Sequence, residues 1–429
     1  KLVQKLFIPP SLLAGLLGLI FGPNGLGWLP LSNFISIYPA VLIAVVFGAL
    51  PLSSPKFKMK EVAGRVGPMW VYSQFGMLFQ WAVMGIFGLL VLKLIWPNLN
   101  DAFGVMLPTG FYGGHGTAAA IGAAFDGLGW DEAASLGMTT ATIGVILAII
   151  GGLFFIKMAA RKGHTSYIVD FAELPQELRS GLIPKEKRES SGEITTSPIS
   201  VDSLTFHLGL VVLAAFGGYM VSQGVKMWYP KLELPVFSCA FIVGLILKKI
   251  FDATRVSQYI DPKTTGSISS TATDLLVAFG VASIKLGVVI KYAVPLIVLV
   301  VAGIILTVVM VFYLGRRLHR KDWFEKSIFA WGWWTGTMAM GIALLRIVDP
   351  KMMSKALDDY ALAYLPCAPV EILLITIVPI MFTAGQGLWM MLICLAISAA
   401  LLFLAVKLKW WIPKKDLQPG RGQQTVSNE

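Results

Sequence analysis

Glycine, alanine and one histidine dominate the stretch GFYGGHGTAAAIGAAF at residues 110–125, which lies inside an apolar region. Bare backbone N–H and C=O groups are not tolerated in lipid, so a non-helical turn survives at membrane depth only inside protein or beside a water-filled cavity. Glycines permit such a turn, and the ends of the flanking half-helices direct N–H groups at an anion and carbonyls at a cation. We therefore expect a solute and its coupling ion to bind at Gly113, Gly114, His115, Gly116 and Thr117. The alternatives are close helix packing through small residues and, for the histidine, a role in holding the turn.

A second stretch, AWGWWTGTMAMGIALLR at residues 330–346, shares the order Gly-Thr-x-Ala with the first. The repetition favours a pair of hairpins, although small-residue packing would explain each stretch alone. We expect Thr335, Gly336 and Thr337 to complete the binding site. The hydroxyl groups of Thr117 and Thr337 would add oxygen ligands, which suit a hard cation such as Na⁺.

Ionisable residues inside apolar segments cost about 2.5–3.5 kcal/mol on insertion scales, and therefore suggest function. Asp274, with Ser270 and Thr271, is a candidate Na⁺ ligand, or else a charge near a helix start that faces water. Glu371 is a candidate partner for a substrate ammonium, or else it pairs with another helix. Arg346 is a candidate clamp for a substrate carboxylate, or else it extends to the membrane surface.

Composition places these residues in a membrane protein. Hydrophobic residues make up 56% of the 429 residues and charged residues 14%, and the mean hydropathy is +0.73. Charge is therefore too scarce to cover a soluble surface of this size. The apolar residues form continuous runs of bilayer-crossing length rather than short alternating segments, which excludes a β-barrel. We predict an all-α polytopic protein whose surroundings are a lipid bilayer.

The net charge of +11 comes from lysines and arginines at helix ends, where they mark cytoplasmic loops. We therefore expect no nucleic-acid partner. The three isolated cysteines imply neither a disulfide framework nor a zinc site. The sequence has no HExxH, phosphate-loop or GxSxG motif, and its four histidines are dispersed, so we expect no enzyme and no cofactor beyond a coupling ion.

Apolar runs predict membrane segments at 6–22, 36–52, 69–97, 103–126, 133–157, 203–228, 235–250, 270–289, 291–315, 327–347, 361–384 and 387–406. We divide the chain accordingly into an N-terminal repeat at 1–158, a cytoplasmic linker at 159–202, a C-terminal repeat at 203–384, an extra transmembrane helix at 385–408 and a cytoplasmic tail at 409–429.

Basic residues flank segment 327–347 on both sides and are missing from both loops around segment 103–126. The positive-inside rule then makes each segment a re-entrant hairpin, and the two enter from opposite faces of the membrane.

The two halves of the chain also resemble each other. Matched stretches occur in the same order and with opposed orientation: 8–22 with 233–247, 43–52 with 277–286, and 114–120 with 334–340. This pattern predicts an inverted-topology repeat, a frequent architecture of transporters. Segment 203–228 has no counterpart in the first half, so we expect a further helix of the natural protein to precede residue 1.

The stretches GGHGTAAA, ELPVFSCAFIVGLIL and SIKL resemble the bacterial sodium/glutamate symporter family. In that family the motif Gly-Gly-His-Gly-Thr, matched here by residues 113–117, belongs to a re-entrant loop. The resemblance implies two inverted domains of about five transmembrane helices, each with a re-entrant hairpin, usually in a homodimer. The second hairpin departs from the family pattern, because Trp333, Trp334 and Met338 replace small residues.

The resemblance implies Na⁺-driven uptake of glutamate, or a closely related amino acid or carboxylate, across the bacterial cytoplasmic membrane. One domain moving past the other would open a fixed site to each side in turn. The alternatives are a Na⁺-coupled 2-hydroxycarboxylate symporter, a Na⁺/H⁺ antiporter and an exporter. A channel is disfavoured, because channels usually lack inverted hairpins of this kind.

Overall fold

The computed structural model of the chain describes residues 9–32, 34–53, 59–167, 185–188, 190–197, 199, 201–229, 234–350 and 352–414. The regular structure in these ranges is helical, and it contains no strand. The helices are α1 (Pro10–Phe21), α2 (Tyr38–Ser53), α3 (Met59–Phe87), α4 (Met106–Gly110), α5 (Gly114–Gly127), α6 (Ala133–Arg161), α7 (Ser203–Trp228), α8 (Val236–Ala253), α9 (Pro262–Ala282), α10 (Leu286–Lys291), α11 (Ala293–Val308), α12 (Trp323–Thr335), α13 (Met338–Val348), α14 (Ala356–Thr383) and α15 (Gly387–Lys407). Short helical turns extend α3 to Ile95 and α11 to Leu318.

Six helical stretches are long and apolar enough to cross a membrane, since about 20 apolar residues span the hydrocarbon core. They are Val66–Ile95, Ala133–Arg161, Ser203–Trp228, Ala293–Leu318, Ala356–Thr383 and Gly387–Lys407. Each coincides with a membrane segment predicted from the apolar runs. The prediction of a helical membrane protein is therefore confirmed for the described residues. Much of the predicted linker (168–184) and of the predicted tail (415–429) lies outside them.

The predicted segment 270–289 is wrong at both ends, because α9 begins at Pro262 and ends at Ala282. Asp261 caps the helix by accepting hydrogen bonds from the backbone N–H groups of Lys263 and Thr264. Proline suits the first helical position, where its missing N–H is not needed. The prediction from apolar runs missed the first turns of α9 because they are rich in serine and threonine. Asp274 consequently lies about three turns into α9, and not near the helix start as predicted.

The helices form two packed groups, and each group draws on both halves of the sequence. Group one comprises α1, α2, α7, α8 and α9, which pack closely through small residues; Gly15 of α1 lies against Val281 of α9, and Gly218 of α7 against Ala240 of α8. Group two comprises α3 to α6 and α10 to α15, which enclose the main hydrophobic core. The groups meet where α5 contacts α2 and α9.

Candidate functional site

The first predicted hairpin contains a break in the helix. α4 ends, the chain turns through Phe111–Gly113, and α5 begins at Gly114, whose φ of +65° is left-handed. Residues with a Cβ rarely adopt this conformation, which explains the glycine. The segment folds back on itself, because Thr109 of α4 and Ala118 of α5 both lie beside Gly137 of α6.

The second predicted hairpin is interrupted at Gly336 and Thr337, which separate α12 from α13. The Thr337 side chain caps α13 by accepting a hydrogen bond from a backbone N–H. A Cβ on Gly341 of α13 would lie 2.6 Å from the carbonyl oxygen of Phe329 in α12, whereas a continuous helix would separate these residues by about 18 Å. α12 and α13 therefore lie side by side. Both predicted segments are interrupted helices, while their orientation in the membrane stays a prediction.

The two breaks lie against each other. A Cβ added to Gly114 would lie 3.1 Å from the carbonyl oxygen of Gly336 and 3.8 Å from Cγ2 of Thr337. The carbonyl oxygen of Thr335 fills the space beside Gly144 of α6, where a Cβ would clash. Backbone groups at the ends of α4, α5 and α12 are therefore brought into one largely buried region, which the exposed first turn of α13 borders.

Two side chains predicted as ligands already have partners in this region. His115 is buried, and its Nε2 lies 3.2 Å from Oγ1 of Thr142 on α6. The hydroxyl of Thr335 donates to a carbonyl of its own helix. The histidine contact fits the predicted role of holding the turn.

The first turn of α5 lies at the boundary between the two helix groups. A Cβ on Gly116 would lie 3.7 Å from Cδ1 of Ile43 in α2. Thr117 is buried on the other side of this turn, where it packs against Gly113. The glycine motif thus contacts group one through Gly116 and the second break through Gly114.

Five aromatic side chains surround the breaks, and we call Tyr112, Trp333, Trp334, Tyr360 and Tyr364 the aromatic cluster. The ring centroid of Tyr112 in the first break lies 4.7 Å from that of Trp333 in α12. Trp333 in turn lies 4.3 Å from Tyr360 and 5.9 Å from Tyr364, both on α14. The sequence marked the two tryptophans as departures from a family pattern, but it gave no signal for the tyrosines.

Two buried polar atoms of the aromatic cluster, Trp334 Nε1 and Tyr360 OH, have no hydrogen-bond partner among the described residues, and the same holds for Ser73 Oγ and Gln74 Nε2. Ser73 and Gln74 belong to α3, and the Tyr112 hydroxyl donates to the Ser73 carbonyl oxygen at 3.1 Å. Buried polar groups are nearly always paired, and leaving one unpaired costs about 1–3 kcal/mol. These atoms are therefore well suited to a polar solute or to water.

Glu371 and Arg346 are placed differently with respect to the breaks. Glu371 on α14 accepts a hydrogen bond of 2.7 Å from the Tyr364 hydroxyl, so it borders the aromatic cluster. Arg346 is exposed in the last turn of α13, about 13 Å along the helix from Thr337 at 1.5 Å per residue. The structure brings Glu371 to the aromatic cluster and leaves Arg346 apart from the breaks.

The predicted Na⁺ ligands Ser270, Thr271 and Asp274 share one face of α9, because they are three and four residues apart. All three are exposed in the described chain, and Asp274 accepts a hydrogen bond of 2.9 Å from Ser11 of α1. The breaks belong to group two, whereas these residues belong to group one, and no described contact joins them into one cluster.

The start of α12 is held by a buried carboxyl group that lies outside the candidate spans. Glu325 is fully buried, and its Oε1 accepts a hydrogen bond of 2.6 Å from the backbone N–H of Ser166, just after α6. Burial raises the pKa of Glu325 to about 7, the Ser166 hydrogen bond opposes this rise, and the neighbouring Asp322 and Asp349 add to it. This carboxyl group therefore changes its charge near neutral pH.

The replacement Glu325→Gln should make the protein more stable than wild type above pH 7. The pKa of Glu325 in the folded state exceeds its ordinary value of 4.5. Protonation of Glu325 therefore stabilises the folded protein fully below pH 4.5, and this stabilisation is lost as pH rises through about 7. Glutamine keeps the acceptor for Ser166 without the charge, and the gain should reach about 3 kcal/mol. Thermal unfolding midpoints of both proteins across this pH range measure the effect. A difference that is independent of pH would contradict it.

A family model described as sodium/glutamate symporter matches residues 2–341, a range that contains both breaks and most of the helices. No curated protein matches the chain significantly.

Proposed function

The chain belongs to the sodium/glutamate symporter family, and from this we propose that it carries glutamate, or a closely related amino acid or carboxylate, with Na⁺ across the bacterial cytoplasmic membrane. The family is one of transporters rather than enzymes, and the six apolar helices make this chain a multi-pass membrane protein. The observation that carries the proposal is the contact between the two breaks, at Gly114 and Gly336.

The solute binds where the two breaks meet. The N-termini of α5 and α13 each carry about half a positive charge, so their N–H groups attract a carboxylate. The carbonyl oxygens that end α4 and α12 attract Na⁺. Glutamate has a net charge of −1, and a co-bound Na⁺ offsets the cost of placing that charge in a medium of low dielectric constant.

The aromatic cluster and its unpaired polar atoms complete the solute site. In this proposal Glu371 binds the ammonium group of an amino acid, and the unpaired atoms Trp334 Nε1 and Tyr360 OH offer hydrogen bonds to a second carboxylate. Ser270, Thr271, Asp274 and Arg346 lie apart from the breaks, so the proposal rests on the backbone of the breaks rather than on those side chains.

We further propose that the fold is an inverted repeat with two re-entrant hairpins, assembled as a homodimer. Two features support the repeat. α1 packs on α9 as α8 packs on α2, which is the relation expected if α8 repeats α1 and α9 repeats α2, as their sequence stretches suggest. π-helical turns also occur near the ends of both α3 and α11, at Gly88–Leu92 and Val309–Leu314.

Alternating access then follows from a movement of group two past group one. Both breaks, the aromatic cluster and Glu371 belong to group two, so they would move as a unit. The boundary at α5 contains small side chains and the glycine motif, which allow close helix approach.

Uptake of radiolabelled glutamate into proteoliposomes tests the proposed function. We expect accumulation only with an inward Na⁺ gradient, and competition by aspartate but not by malate or citrate. Equal uptake with and without the gradient would refute Na⁺ coupling. Strong competition by malate and citrate would instead identify a 2-hydroxycarboxylate symporter.

A further inference from the structure

A basic cavity of about 330 Å³ lies between the start of α3, the loop that follows α11, and the end of α15. Four cationic side chains line it, namely Arg320, Lys321, Lys326 and Lys409. Neither the family match nor the proposed transport of glutamate assigns a function to this cavity, which we call the basic cavity.

The basic cavity lies at one boundary of the membrane. Three candidate spans begin or end beside it, at Val66, at Leu318 and at Lys407. Trp410 lines it as well, and tryptophan is enriched at the level of lipid headgroups. The excess of basic residues marks this boundary as the cytoplasmic one.

The charges of the basic cavity are only partly neutralised. Asp359 and Lys326 form an ion pair of 2.9 Å. Among the described residues, no ion-pair partner is found for Arg320, Lys321 or Lys409. Asp359 lines the cavity as well, so four cationic side chains face one described carboxylate there.

One buried side chain of the basic cavity has an unused hydrogen-bonding atom. His319 lines the cavity and is 5% exposed, and its Nε2 has no hydrogen-bond partner in the described chain. Its ring packs edge-on against Tyr72, with centroids 5.0 Å apart, so its orientation is fixed. An anion with several acceptor oxygens would satisfy both this atom and the three cations.

We propose that the basic cavity binds the phosphate headgroup of an anionic phospholipid from the cytoplasmic leaflet. Basic pockets between transmembrane helices suit such headgroups, and phosphate oxygens accept strong charge-assisted hydrogen bonds from arginine and lysine. The position beside three helix ends and Trp410 favours a lipid over a soluble anion. The loop between α11 and α12 contributes to the cavity and leads directly into α12. A bound lipid would therefore hold the start of the second hairpin at the membrane surface.

Native mass spectrometry after reconstitution with phosphatidylcholine and a minority of phosphatidylglycerol tests the proposal. We expect wild type to retain one phosphatidylglycerol, and the triple variant Arg320→Gln, Lys321→Gln, Lys409→Gln to retain it at least about tenfold less, since each cation near the surface contributes about 1 kcal/mol. The matched control replaces Lys249, Arg255 and Lys263 with glutamine, which removes the same charge from exposed positions outside the cavity.

Equal lipid retention by the cavity variant and wild type would overturn the proposal, as would an equal loss in the control variant. The single replacement Lys409→Gln, at an exposed position, should give a partial loss even if the triple variant folds poorly. Inorganic phosphate and glutamate serve as soluble competitors. Displacement of the lipid by either one would show that the site takes a soluble anion and would reject a lipid site.

Discussion

Replacing Gly114 with alanine should lower Na⁺-driven glutamate uptake by about tenfold or more. The left-handed φ of +65° costs a residue with a Cβ about 1–2 kcal/mol. The new Cβ would also lie 3.1 Å from the carbonyl oxygen of Gly336, so the two breaks must move apart. Initial rates in proteoliposomes, corrected for the amount of reconstituted protein, measure the effect.

Gly27→Ala is the matched control for this replacement. Gly27 has a similar φ of +69°, but a Cβ there would meet no atom within 4 Å. It should therefore cause the same backbone strain without disturbing the breaks, and uptake should stay close to wild type. Equal losses in the two variants would show that strain alone explains the result, and that the contact between the breaks has no role in transport.

Replacing Glu371 with glutamine should weaken glutamate binding by about thirtyfold or more, because removing one member of a buried charged pair costs about 2–5 kcal/mol. In our proposal the lost pair joins the Glu371 carboxylate to the substrate ammonium. The apparent affinity for glutamate, taken from the concentration dependence of uptake, measures the loss. Tyr364→Phe removes the 2.7 Å hydrogen bond but keeps the carboxylate, so its effect should be smaller.

A substrate analogue without the ammonium group separates this role from a structural one. Glutarate has the two carboxylates of glutamate and no ammonium, so Glu371→Gln should leave inhibition by glutarate unchanged or make it stronger. An equal loss of affinity for glutamate and glutarate would contradict a contact with the ammonium and would point to a packing role for Glu371.

Hydropathy and local chemistry predicted the parts of the fold that depend on local sequence. The six candidate spans follow from apolar length alone, and the helix breaks follow from the backbone freedom of residues such as Gly114 and Gly336. The start of α9 was mispredicted because its first turns are polar and are stabilised by the Asp261 cap, a short-range signal that an apolar window averages out.

The solute site was harder to predict because it depends on contacts between distant segments. In the sequence, Tyr112, Tyr360 and Tyr364 cannot be distinguished from other aromatic residues. Only the packing of α14 against α12 and the first break brings them together. Sequence also favoured Asp274 and Arg346 because charge is rare in apolar segments, but charge alone does not tell which face of a helix a residue occupies. The two helix groups each combine helices from both halves of the sequence, and no local sequence pattern predicts this arrangement.

The position of bound glutamate tests the central claim most directly. A cryo-electron microscopy map of the protein in lipid nanodiscs with Na⁺ and glutamate should show the ligand between the two breaks. We predict that one carboxylate lies about 3 Å from backbone N–H groups at the start of α5 or α13, with the ammonium toward Glu371. Ligand density away from both breaks, for example beside Asp274 on α9, would contradict the account.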